Sequence, residues 1–142
     1  TTTTSEATTT TTTQAPTTTT TTQAPAGSFN AARESQFLAL INGLRSTPLL
    51  SDSSLKVHAR NWARYMAETD KLSHSSLGSL LDPWSTVGEN VAFGYSALSM
   101  FEALSASSAH RANMVSKSFT HVGIGAWIDA DGQTWTAHVF GG

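Results

Sequence analysis

Residues 107–127 read S-S-A-H-R-A-N-M-V-S-K-S-F-T-H-V-G-I-G-A-W. This stretch predicts a short helix followed directly by a strand, because apolar and small residues alternate over residues 121–128. We expect the hydroxyl of Ser107 or Ser108 to cap the helix, since a serine there accepts a bond from a free backbone N–H. A capped helix would hold His110 at a fixed angle beside the strand. His110 is therefore a candidate site residue, with capping or packing as the alternative.

Apolar residues at helical spacing predict two amphipathic helices earlier in the chain. The first covers about residues 30–45 and ends before Pro48, and the second covers about residues 52–71. Glu34 is expected to lie away from the apolar stripe of the first helix. A third helix is expected over about residues 97–105.

Segments typical of β-structure dominate the last third of the chain. Residues 121–128 and 133–140 flank an Asp-Ala-Asp-Gly sequence, whose Asp-Gly step favours the positive φ angles of a hairpin turn. A shorter β segment is expected over residues 86–94. The helices do not alternate with the strands one by one. This order predicts an α+β fold, a three-layer α-β-α sandwich with a small, largely antiparallel sheet between helices.

The first 28 residues differ from the rest in composition. They hold sixteen threonines and no hydrophobic residue other than alanine. The sequence TTTTTTQAP occurs twice in tandem, over residues 8–16 and 17–25. Because such a segment cannot build a core, it predicts a disordered stalk over residues 1–28, followed by one globular domain over residues 29–142. Dense threonine beside proline is also typical of O-glycosylated stalks, so a glycan here is an open alternative.

Charge and hydropathy argue against several classes of partner. The formal net charge is −2, and no basic run offers the positive surface that nucleic acid or an anionic membrane requires. No apolar run approaches the ~20 residues of a transmembrane segment. The chain starts at Thr1, so we expect that a secretion signal has been removed. The absence of cysteine excludes disulfides and thiolate chemistry and leaves the compartment open.

Five short motifs follow one another along the folded part. They are H-S at 74–75, G-E-N-V at 88–91, H-R-A-N-M at 110–114, F-T-H-V-G-I-G at 119–125 and W-T-A-H-V-F-G at 135–141. In this order they resemble a bacterial, SCP-like member of the CAP superfamily, which comprises cysteine-rich secretory proteins, insect antigen 5 and plant pathogenesis-related proteins. The resemblance covers about residues 33–141. It implies an α-β-α sandwich, an extracellular or cell-envelope setting, and a shallow cleft with two histidines and acidic residues.

The resemblance places the cleft residues of the family on His74, Glu89 and His110. A second cleft glutamate of eukaryotic members corresponds to Ser107 here, so the fourth group is missing. Two imidazoles and one carboxylate are a common ligand set for Zn²⁺ or another borderline divalent cation. The resemblance therefore implies a metal site at His74, Glu89 and His110, which we expect to be weak. As an alternative, Glu89 accepts backbone N–H bonds and pins a loop.

Other polar residues leave alternatives open. We expect His58 to be partly buried beside the apolar stripe of the second helix, whereas His138 lies in a strand and faces either solvent or the cleft. Asn113 is expected to tie backbone segments together. Serines flank both His74 and His110, so a Ser-His-Glu arrangement can be drawn, although no G-x-S-x-G motif is present.

We therefore expect a secreted or surface-held, monomeric domain that binds a small apolar ligand, such as a lipid or sterol, or a protein partner. Lipid or sterol binding is what the resemblance implies from some family members, and a protease-like activity is what it implies from others. The alternative function is accordingly a metal-assisted or Ser/His-type hydrolase. We favour the binding function over an enzyme.

Overall fold

The structure, a computed structural model, describes residues 26–142, and this part of the chain forms four α-helices and five strands. In chain order they are β1 (Gly27–Phe29), α1 (Ala31–Asn42), β2 (Leu50–Ser51), α2 (Ser53–Thr69), β3 (Val87–Gly94), α3 (Ala97–Ala106), α4 (Ser108–Val115), β4 (His121–Asp129) and β5 (Thr134–Gly141). A single 3-10 turn, Gly78–Leu80, lies between α2 and β3.

The strands form one open sheet in the order β1-β4-β5-β3, with antiparallel pairs along this path. The two-residue strand β2 pairs with β4 in parallel. α2 packs on one face of the sheet, and α1, α3 and α4 pack on the other. The α+β fold predicted from the sequence, a three-layer α-β-α sandwich around a largely antiparallel sheet, is confirmed.

Each helix layer buries its own set of apolar side chains against the sheet. The layer of α1, α3 and α4 buries Phe37, Ile41, Leu49, Ala97, Met100, Leu104, Met114, Phe119, Val122, Ile124 and Phe140. The α2 layer buries Leu55, Ala59, Met66, Val91, Trp135, Ala137 and Val139. Because β5 lies between β4 and β3 and both of its faces are covered, all eight of its residues are buried.

Two glycines of β4 allow α2 to lie directly on the sheet. A Cβ atom added at Gly123 would overlap the backbone of Leu55, and one added at Gly125 would overlap the backbone of Ala59. Helix and strand therefore touch backbone to backbone at these points. The Gly-Ile-Gly sequence of β4 sets the distance between the α2 layer and the sheet.

The first helix ends at Asn42, earlier than its predicted end near Arg45. The Asn42 side chain turns to the backbone of Leu49, where Nδ2 donates to the carbonyl at 3.1 Å and Oδ1 accepts from the N–H at 2.8 Å. Arg45 has already left the helix and donates at 2.9 Å to each of three carbonyl oxygens, those of Met114, Ser116 and Phe119. The helix therefore ends before Pro48, where Asn42 and Arg45 bond to backbone groups outside it.

Glu34 was predicted to lie away from the apolar stripe of α1, and this prediction is wrong because Glu34 is buried. Its carboxylate accepts two bonds from Arg60, at 2.7 and 2.8 Å, and lies 3.1 Å from Lys56 Nζ. The backbone N–H of Ala126 also donates to it, at 3.3 Å. Burial by itself raises the pKa of Glu34, but the bonds from Arg60 and Lys56 outweigh burial and the pKa is lowered. Glu34 therefore joins α1 to α2 and to β4.

The predicted hairpin joins β4 and β5. Gly132 adopts a φ of 80°, which glycine tolerates without strain. The Asp129 carboxylate accepts from the backbone N–H groups of Asp131 and Gln133, each at 3.0 Å. This side-chain capping, together with Gly132, gives the Asp-Ala-Asp-Gly sequence its turn.

The predicted stalk lies outside the described residues, except for positions 26–28. Gly27 and Ser28 were assigned to the stalk, and they form β1 by pairing with Asp129 and Ile128 of β4. Strand pairing uses the main chain, so it needs no apolar side chain and left no signal in the composition. Within residues 26–142, no helix combines the length and the apolar character needed to cross a membrane.

Candidate functional site

The candidate site is centred on Glu89, in the edge strand β3. Its side chain is 1 % exposed and lies on the α2 side of the sheet, as does Val91 two residues later. Its Oε1 atom accepts from His74 Nδ1 at 2.8 Å and from the Ser75 backbone N–H at 2.9 Å. Its Oε2 atom accepts from the Ser75 hydroxyl at 2.6 Å. Three donors therefore converge on this one buried carboxylate.

The alternative role predicted for Glu89 was to accept backbone N–H bonds and pin a loop. The bond from the Ser75 backbone fits this role, because it holds the segment that follows α2 against the edge strand. The same carboxylate also holds the ring of His74, whose side chain is 60 % exposed. Glu89 thus has two roles at once. It anchors a loop, and it orients an exposed imidazole.

Ser75 and His58 complete this cluster, although neither was predicted as a site residue. His58 Nε2, on the half-buried side of α2, lies 2.8 Å from Ser75 Oγ. The only sequence signal for His58 is its place beside Ala59 in the buried stripe of α2. The Ser75 hydroxyl has a single proton, and this proton points to Glu89 and not to His58. The alternative function, a Ser/His-type hydrolase, stays a prediction.

α4 is tied to the edge strand by two asparagines. Asn90 Nδ2 donates to the His110 carbonyl at 2.9 Å. Asn113 Nδ2 donates to the Glu89 carbonyl at 3.2 Å and to Asn90 Oδ1 at 2.9 Å. Asn113 therefore ties backbone segments together, as predicted. Since side chains alternate along β3, Asn90 lies on the sheet face opposite to Glu89, and α4 packs on that opposite face.

The predicted serine cap of α4 is correct in position, but the expected side-chain hydrogen bond is absent. Ser107 is the N-cap residue, but its hydroxyl makes no capping bond, and Ser108 is already helical. Ser107 also closes α3, since its backbone N–H donates to the Leu104 carbonyl at 3.2 Å. With one residue shared between two helices, the position of α4 depends on its bonds to Asn90 and on the burial of Met114.

We expect Met114→Ala to lower the free energy of unfolding by about 2 kcal/mol or more, because Met114 is fully buried and would leave a cavity. His110→Ala should cost far less, since its half-buried imidazole leaves no large cavity. Denaturant midpoints of the two variants and the wild type measure both effects. If Met114→Ala left the denaturant midpoint unchanged while His110→Ala unfolded the protein, His110 would be a structural residue.

The three predicted metal ligands do not form a metal-binding group in this structure. Between residues 26 and 142, no three His, Asp or Glu side chains lie close enough together to hold a metal ion. His74 and Glu89 meet, and the two Glu89 oxygens together accept three hydrogen bonds, but His110 does not join them in such a group. The donor set therefore does not fit a cation held by all three residues. Zn²⁺ binding stays a prediction.

His138 faces neither solvent nor the cleft, so both predicted orientations are wrong. It is fully buried in β5, with its ring centroid 4.6 Å from that of Phe37 in α1. Among the residues described, neither of its ring nitrogens has a hydrogen-bond partner. Burial lowers the pKa of His138 to about 3, so the ring stays neutral near pH 7. His138 belongs to the core because β5 is covered on both faces.

A separate groove of about 500 Å³ lies between α1 and the start of α3. Its lining residues are Arg33, Gln36, Ala39, Leu40, Ser96, Ala97 and Leu98. The surface inside it is mostly apolar, and Leu98 is 54 % exposed. At the rim, an Arg33 guanidinium nitrogen donates to the Tyr95 carbonyl at 2.9 Å, which holds this side chain beside the groove.

Another groove, of about 540 Å³, lies between residues 44–50 and 115–120. Its lining is more polar, and its arginine, Arg45, already donates to carbonyl oxygens at the end of α4 and in the segment that follows it. The groove beside α3 is therefore the better candidate for an apolar ligand.

Solved structures that share the fold of this chain include three bacterial proteins. An extracellular protein containing an SCP domain from Bacillus anthracis has a TM-score of 0.68 and 22% identity, over 78% of this chain and 40% of that one. An outer surface protein from Borrelia burgdorferi has a TM-score of 0.72 and 17% identity, over 81% and 97%. A cysteine-rich secretory protein from Staphylococcus aureus has a TM-score of 0.64 and 19% identity, over 78% and 39%.

This chain thus spans about two fifths of the Bacillus and Staphylococcus proteins, and nearly all of the Borrelia protein. At these identities the likeness shows the fold. Comparison with curated proteins gives no match. A sequence profile of the cysteine-rich secretory protein family, CAP, matches residues 26–139, which is most of the chain. The resemblance seen in the five motifs is confirmed, and the chain belongs to the cysteine-rich secretory protein (CAP) family.

Proposed function

We propose that this protein is an extracellular or envelope-associated domain that binds a small apolar ligand in the groove between α1 and α3. The observation that carries the proposal is the groove itself, about 500 Å³ of mostly apolar surface, a volume in the range of small-molecule sites. None of the residues that line this groove is a predicted cleft residue. Ligand binding therefore does not depend on His74, Glu89 or His110.

The lining of the groove favours a ligand with an apolar chain and a polar head. Ala39, Leu40 and Leu98 offer the apolar contact surface. Arg33 and Gln36 stand one turn apart on α1 and offer hydrogen-bond donors at the rim. A single-chain amphiphile with an anionic head satisfies both parts, because its head meets the guanidinium while its chain covers the leucines.

An extracellular setting agrees with the descriptions of the related structures. They are an extracellular protein, an outer surface protein and a secretory protein, each from a bacterium. We extend this setting to the present chain as part of the proposal. The absence of cysteine leaves this setting open.

Titration calorimetry with sodium laurate tests the proposal. Wild type should bind saturably, and Ala39→Trp should weaken binding by about tenfold or more, because an indole would fill the groove. Ala103→Trp is the matched control, since Ala103 is an exposed alanine of α3 that does not line the groove. The proposal fails if wild type shows no saturable binding, or if both variants lose affinity equally.

A further inference from the structure

The hydrogen-bond directions around Glu89 follow from a count of protons. An ionised carboxylate only accepts, so each group bonded to it must donate. The Ser75 hydroxyl has one proton, and that proton goes to Glu89 Oε2 at 2.6 Å. The Ser75 backbone N–H goes to Oε1 at 2.9 Å. Ser75 therefore has no proton left for any other acceptor.

The same count assigns the tautomer of each neighbouring histidine. His58 Nε2 lies 2.8 Å from Ser75 Oγ, and since that oxygen can only accept here, His58 carries a proton on Nε2. His74 Nδ1 lies 2.8 Å from Glu89 Oε1, so it is Nδ1 that carries the proton in His74. When the ring is neutral, His74 Nε2 then has a free lone pair.

We propose that His58, Ser75 and Glu89 are positioning residues, a relay that fixes His74 in the Nδ1–H tautomer and presents its bare Nε2 to solvent. The bare nitrogen accepts a hydrogen bond, so the site takes a ligand that offers an N–H or O–H donor. The imidazole is 60 % exposed, while the carboxylate that holds it is 1 % exposed. The site therefore combines an accessible acceptor with a buried support.

The residues of the relay come from three separate parts of the fold, which holds them rigidly. His58 is on α2, Glu89 is on β3, and Ser75 belongs to the segment between them. Trp62 of α2 holds the same segment, since its Nε1 donates to the Ser73 carbonyl at 2.7 Å. Both oxygens of Glu89 take part in this role, since Oε1 accepts two hydrogen bonds and Oε2 accepts one.

Imidazole ¹⁵N NMR of the full chain near pH 8, where exposed histidines are neutral, tests the relay. Two-bond ¹H–¹⁵N correlations distinguish a protonated from a bare ring nitrogen. We expect His74 to carry its proton on Nδ1 and His58 on Nε2, each as a single tautomer. A wild-type spectrum in which His74 Nε2 is protonated, or in which the His74 tautomers are mixed, would overturn the proposal without any variant.

Two variants separate the members of the relay. Ser75→Ala should release His58 into a mixture of tautomers while His74 keeps its Nδ1 proton, since the bond from His74 to Glu89 remains. Glu89→Gln should mix the tautomers of His74, because a neutral amide is a weaker acceptor. Glu68→Gln is the matched control, as Glu68 is an exposed partner of Arg64, and it should change neither histidine.

The contrary outcomes are equally specific. A Ser75→Ala spectrum in which His58 is unchanged would show that the hydroxyl does not fix its tautomer, and the relay would be wrong. A folded Glu89→Gln variant whose His74 remains a single Nδ1–H tautomer would remove Glu89 from the positioning role. The fold of each variant is checked by near-ultraviolet circular dichroism.

Discussion

Gly123→Ala should destabilise the protein by about 3 kcal/mol or more, because the added methyl group has no room between β4 and α2. The atoms in its way belong to the backbone of Leu55 and Lys56 at the start of α2. A side chain could rotate away from a clash, but helix backbone cannot. The whole helix would have to move off the sheet, and the apolar core beneath it would open.

Gly78→Ala is the matched control for this experiment. A Cβ atom at Gly78 meets no atom within 4 Å, and Gly78 has no positive φ angle that would strain alanine. We expect its unfolding free energy to stay within about 0.5 kcal/mol of wild type. Urea unfolding followed by tryptophan fluorescence compares the two variants. Equal midpoints for Gly123→Ala and Gly78→Ala would mean that α2 does not rest on the strand backbone.

Gly123 shows which part of this fold the sequence pattern predicts and which part it does not. The alternation over residues 121–128 predicted the strand correctly, because period-two spacing depends on the strand alone. Which helix lies against that strand depends on contacts between distant segments. Glycine in a strand pattern indicates close backbone approach, but it does not name the partner.

The same limit explains the error at Glu34. Glu34 precedes Phe37 by three positions and Ile41 by seven, so it lies on the buried stripe of α1. The apolar residues of the stripe are visible in the sequence, but hydrophobic spacing does not recognise a charged residue that lies among them. Its partners Lys56 and Arg60 come from α2, and no local pattern pairs them with α1.

The candidate site was predictable only through the family resemblance. That resemblance placed His74 and Glu89 in one cleft, and the structure brings these two side chains together. Ser75 and His58 could not be assigned, because the segment between α2 and β3 has no periodicity that predicts its course. His138 shows a related limit, since alternation gives a residue two candidate faces and only the central place of β5 covers both.

Glu34→Ala should lower the free energy of unfolding by about 2–3 kcal/mol. A buried ion pair that loses one partner typically costs ~3–5 kcal/mol, and we expect less here because Arg60 and Lys56 are about one third exposed and regain water. Glu68→Ala is the control, since it removes the same charge from an exposed pair with Arg64 and should cost about 0–1 kcal/mol.

The pH dependence of the unfolding free energy gives a second test of the role of Glu34. Its pKa is lowered in the folded state, so the unfolded state binds a proton first as the pH falls. The stabilisation by Glu34 is therefore fully present above the unfolded value of about 4.3 and is lost as the pH drops through the folded pKa. The stability difference between wild type and Glu34→Ala should be constant near neutral pH and shrink in acid, as measured by urea unfolding across that range. A difference that stays the same in acid would mean that the Glu34 carboxylate contributes through packing and not through its charge.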